Sequence, residues 1–170
     1  MRKGRIQGRK PPAGAALVSL LVAVPLLGGC GHSRQEVLDE MRLKMPDCPV
    51  KIRSYKADEF WWPPGTVEMS YTVPKKCMDA YLVAQGVDDL GEPNLKWPSG
   101  WTGFNGDHEI KPTDPPFMPD TMKRFKLRLN PSRTYPIYTF ATANWSQFKV
   151  LLDEHGETTT AYLTGMNGRS

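Results

Sequence analysis

The sequence predicts an α+β domain, with two helices packed on a small antiparallel sheet of about four or five strands. Three observations point there. Apolar residues recur at helical spacing in two separate runs, each opened by a start signal. Residues 66–73, TVEMSYTV, alternate apolar and polar without a break. Two β-rich runs near the C-terminus flank a turn that contains glycine.

The elements follow in order. Ser33-Arg34-Gln35-Glu36 is a capping box, in which the serine oxygen and the glutamate carboxylate satisfy the orphan amides of a helix start. Val37, Leu38, Met41 and Met45 continue at helical spacing, and Pro46 ends the run. In 66–73, Val67, Met69, Tyr71 and Val73 share one face of a strand and Glu68, Ser70 and Thr72 the other. Pro74 suits the first turn of a second helix over 75–85, carried by Cys77, Met78, Tyr81 and Leu82, with Gly86 placed for its cap.

Residues 87–121 hold six of the 16 prolines and read as a long irregular connection, a length that points to function or mobility. RFKLRL, 124–129, alternates and predicts a strand with Phe125, Leu127 and Leu129 inward. Its other side carries Lys123, Arg124, Lys126 and Arg128, which read as a solvated edge or, alternatively, as a contact for anionic head groups or wall polymers. Residues 137–142 are β-rich, and 147–153 with 158–164 form a hairpin across Glu154-His155-Gly156-Glu157. The tail, 166–170, reads as loose.

The first thirty residues have a different character. Arg2, Lys3, Arg5, Arg9 and Lys10 precede an uncharged apolar stretch over 15–27, which is shorter than the ~20 residues a membrane span needs. Basic head, short apolar core and small residues at the end make a secretory signal peptide. Leu27-Gly28-Gly29-Cys30 then resembles the lipobox of bacterial lipoproteins. The resemblance implies cleavage between Gly29 and Cys30, a diacylglycerol on the Cys30 thiol, and often a third acyl chain on its amine. Two or more chains exceed the marginal membrane binding that one provides. Organisation follows: 1–29 signal peptide, 30–165 a single lipid-anchored extracytoplasmic domain, 166–170 tail. The expected address is the bacterial cell envelope, on the outer face of the cell membrane. Gly31 lacks the aspartate that some two-membrane bacteria use for inner-membrane retention, so an outer-membrane location stays open.

Removing the signal changes the charge. Residues 1–29 hold five of the 22 Lys and Arg and none of the 18 Asp and Glu, so 17 bases and 18 acids remain. That near-neutral balance removes the argument for a nucleic-acid partner. With Cys30 acylated and the domain exported, Cys48 and Cys77 are expected to form one disulfide.

Candidate site residues are few. FWWPPG at 60–65 and WPSGWTGF at 97–104 place Trp61, Trp62, Trp97 and Trp101 in Pro/Gly-rich loops, where they form a binding surface or plug the ends of the core. His108 lies between Asp107 and Glu109, the one histidine flanked by acids; His32 and His155 show no ligand spacing. The chain carries no GxSxG, HExxH or phosphate-cradling glycine loop, and neither a metal set nor a cofactor motif is legible. The sequence therefore points away from an enzyme and toward a lipid-anchored interaction domain for an envelope protein or cell-wall component. Alternatives are an envelope hydrolase using acids or His108 in 87–121, and a structural spacer or assembly factor.

Overall fold

The structure is a computed structural model. It describes residues 32–58, 64–87, 90, 93, 95–99, 103–105, 108–111 and 113–168, with backbone alone for 103–105 and 108–110. The chain divides after Cys30, and the second unit, Gly31–Ser170, is the domain described below. Cys30 and its preceding box, Trp61, Trp62, Trp101 and Asp107 lie outside the described residues.

The elements run α1 (Arg34–Glu40), β1 (Lys51–Ala57), β2 (Thr66–Pro74), α2 (Lys75–Ala84), β3 (Leu95–Trp97), β4 (Gly103–Asn105), β5 (His108–Ile110), α3 (Pro119–Phe125), β6 (Tyr135–Ala141), β7 (Gln147–His155) and β8 (Thr158–Met166). Six strands form one sheet in the order β1-β2-β8-β7-β6-β3, and β4 pairs with β5 as a separate hairpin. Every described pairing is antiparallel. Among the described residues the domain is thus α+β as expected, but with six strands in the sheet rather than four or five, and three helices rather than two.

The helices lie on both faces of the sheet. Val67, Met69, Tyr71 and Val73 of β2 face a core shared with Val37 and Leu38 of α1 and Met78, Tyr81 and Leu82 of α2. Each such buried aliphatic side chain contributes about 1.5–3 kcal/mol. On the opposite face, Ile137, Leu151 and Tyr162 pack under Phe117, Phe125 and Leu127. β7 and β8 are consequently buried on both sides, each with an unbroken buried run at its centre.

The capping box at Ser33 and Glu36 forms as read. α1 stops at Glu40, earlier than its apolar spacing suggests, because Arg42 turns left-handed (φ 54°) and Leu43 N–H reaches back to Leu38 O. α3 ends by the same device at Lys126 (φ 53°), with Leu127 N–H bonded to Met122 O.

That second stop corrects the strand expected over 124–129. Phe125 and Leu127 are buried and Leu129 half-buried, so the period-two burial is real, but it straddles a helix end and a loop. Lys123, Arg124, Lys126 and Arg128 accordingly do not line a strand. Arg124 instead pairs with Glu68 of β2, and Thr121 donates to the same carboxylate, which pins α3 to the sheet. Burial opposes charge on Glu68, yet the Arg124 and Thr121 contacts outweigh it and hold its carboxyl below the usual range.

Cys48 and Cys77 are joined, with Cα atoms 6.5 Å apart. The bond links the α1–β1 connection to the first turn of α2. Met166–Gly168 is not a loose tail. Met166 completes β8, Asn167 N–H donates to Gly65 O (2.9 Å), and Gly168 N–H approaches Ser146 Oγ (3.5 Å).

Candidate functional site

One end of the sheet gathers the β6–β7 turn, the end of β8, and the C-termini of α1 and α2. The turn, residues 142–146, is built on α1. Asn144 Nδ2 donates to Glu40 O (2.7 Å) and the Thr142 hydroxyl to Met41 O (2.8 Å), so the turn satisfies carbonyls that the end of a helix leaves open. Ser146 is fully buried, and Trp145 N–H closes the turn onto Thr142 O.

Held this way, Trp145 adopts φ 67° and leaves 78 % of its surface exposed. A bulky residue in the left-handed region is an outlier that costs on the order of 1–2 kcal/mol. Gly168 packs so closely on Trp145 that a Cβ at 168 would collide with the Trp145 carbonyl and Cβ. The C-terminal segment therefore clips the turn in place.

Beside the turn, an open cleft of about 520 Å³ is lined by Thr139, Gln147, Lys149, Thr164 and Met166. Gly165 makes its floor thin, since any Cβ there would run into the Phe148 ring. Lys149 donates to Pro116 O (2.6 Å) and lies over the Phe117 ring, and burial draws its amine below the usual lysine range. A second depression at the same end is lined by Arg42, Lys44, Gln85 and Ala143. Val83, just before it on α2, is exposed, as is Met166.

Of the four tryptophans read from the sequence as a binding surface or as plugs of the core, the structure describes Trp97 alone. Trp97 is buried, tilted on Tyr135, and its indole N–H donates to Asp114 O (2.8 Å), so it plugs the core under α3. Trp61, Trp62 and Trp101 lie outside the described residues. His108 enters β5 by its backbone, paired with Asn105.

At the far end of the sheet, Asp153 contacts both Arg133 and His155, each at 2.9 Å. Alternate positions of one strand share a face, which is the signal that joins Asp153 to His155. Among the described residues no three His, Cys, Asp or Glu side chains converge on a metal position.

The residue that sequence reasoning passed over is Trp145. Its signal was a tryptophan inside a five-residue connection between two strands, where an inward-facing role is hard to satisfy. No family model matches the chain, and neither a curated protein nor a solved structure does.

Proposed function

We propose that the chain is a lipid-anchored domain of a bacterial cell envelope, acylated on Cys30 after loss of residues 1–29, and that it works by contact rather than by catalysis. The observation that carries the contact reading is Trp145. A large aromatic is held exposed, in a backbone conformation that opposes folding, by a network of part-buried hydrogen bonds to α1. Strain of this kind persists where the surrounding structure enforces it, and such positions cluster at ligand-contacting sites. The disulfide supports the address. Pairing of Cys48 with Cys77 suits an oxidising compartment and leaves Cys30 as the thiol available for acylation. The Trp145 end replaces the buried Trp97 as the contact surface.

Two measurements test this reading. Radiolabelled fatty acid is expected to enter the wild-type chain and not Cys30→Ala; label retained by the variant would place the anchor elsewhere. Trp145→Ala is expected to change the crosslinked neighbours of the protein in intact cells while circular dichroism stays the same. An unchanged set would remove envelope proteins and wall components as partners of this end.

A further inference from the structure

We propose that the Trp145 end rests on the same lipid surface that holds the acylated Cys30, so that the contact orients the domain. This rests on the anchoring proposed above and names the partner of that surface. Among the described residues, four large apolar side chains are exposed: Val83, Met118, Trp145 and Met166. Three of them, Val83, Trp145 and Met166, stand at this one end. Tryptophan combines a large apolar body with an N–H donor, which suits the boundary between acyl chains and head groups.

Among the described residues at this end, Arg42, Lys44, Lys56 and Lys149 are nearly balanced by Asp39, Glu40 and Asp58. The contact is therefore apolar in origin and does not depend on anionic lipid.

Tether length makes the lipid surface the fitting occupant. Three residue steps separate Cys30 from Ser33, a reach of about 10 Å at full extension. α1 has seven residues, about 10 Å of helix, and its C-terminus belongs to the Trp145 end. A tether this short keeps the domain, its Trp145 end included, within reach of the surface that holds the anchor. Tethering at this range raises the effective concentration of the surface so far that a few apolar side chains suffice. A protein partner arriving from solution needs about 800 Å² per side.

The test uses the full acylated chain, with acylation checked by mass spectrometry, in vesicles of phosphatidylethanolamine and phosphatidylglycerol. A nitroxide is placed at Ala143→Cys, beside Trp145, and in a separate protein at His155→Cys, on the far turn. Collision with oxygen is compared with collision with a water-soluble nickel complex. The expected result is loss of nickel accessibility at 143 but not at 155, reversed at 143 by Trp145→Ala, and unchanged when phosphatidylglycerol is omitted. An acylated chain whose 143 label stays as water-accessible as 155 overturns the inference and leaves the anchor standing. A chain without acyl groups overturns both. Shielding at 143 that appears only on adding envelope proteins or wall polymer assigns the surface to them. Shielding that scales with phosphatidylglycerol overturns its apolar origin.

Discussion

Trp145 sits at a position where the backbone favours glycine or asparagine, and its side chain adds little packing because 78 % of it is exposed. Replacing it should therefore relieve strain without opening a cavity. Trp145→Gly is expected to raise stability by about 1 kcal/mol, a gain that would trade against the proposed contact. Thermal unfolding checks this, and a lower melting temperature would mean that the indole packs more than its exposure implies. Gly168 acts on the same turn from the other side. Gly168→Val forces the C-terminal segment off the Trp145 backbone and is expected to destabilise by about 1–3 kcal/mol. The change should also shift Trp145 fluorescence, read against a Trp145→Phe background. A neutral Gly168→Val would show that the clip is not needed.

At the scale of elements, the three described helices all close by one device, a left-handed residue followed by an amide bonded five residues back. Only α2 uses glycine for it, at Gly86 (φ 84°), with Val87 N–H on Leu82 O. That stop was legible in the sequence. The stops at Arg42 and Lys126 were not, because arginine and lysine carry no turn signal. This is how the end of α3 passed for a strand. β1 was missed for a related reason: its register shifts between Ile52 and Ser54, and the shift breaks the alternation that reveals a strand. Trp145 went unread as a site residue because nothing in its local pattern shows that Glu40 and Met41, over 100 positions earlier, hold its turn.

The seat of α3 has a pH signature. Glu68 has its folded pKa depressed, so its contribution is present above the unfolded carboxylate value of about 4.3 and is lost as pH falls through the folded value. Glu68→Gln is expected to cost about 1 kcal/mol at pH 7, a small figure because Arg124 remains about one-third exposed. The wild-type advantage should shrink below pH 4 and vanish in stronger acid. Melting curves of both proteins across that range check the sign; a gap that widens in acid would contradict it.

At the scale of the whole molecule, the sheet is a shared wall between two cores, and the disulfide reinforces only one of them. Cys48 lies in the connection from α1 to β1, and Cys77 lies in the first turn of α2; Cys48 itself packs against the α1–α2 core. The opposite core, under α3, holds through Phe117, Phe125 and the Glu68 cluster, with no covalent tie. Removing the bond frees a loop closed across a sequence separation of 29, worth about 3–4 kcal/mol in the chain-entropy account. The fold itself should survive, because Met78, Tyr81 and Leu82 still bury α2 on β2 and β8. The Cys48→Ala/Cys77→Ala protein is therefore expected to keep its far-ultraviolet circular dichroism and to unfold about 3 kcal/mol more easily in urea. Its denaturant slope should rise as well, since the uncrosslinked chain exposes more surface when unfolded. Equal stability with and without the bond would show that the α1–α2 layer is fixed by packing alone.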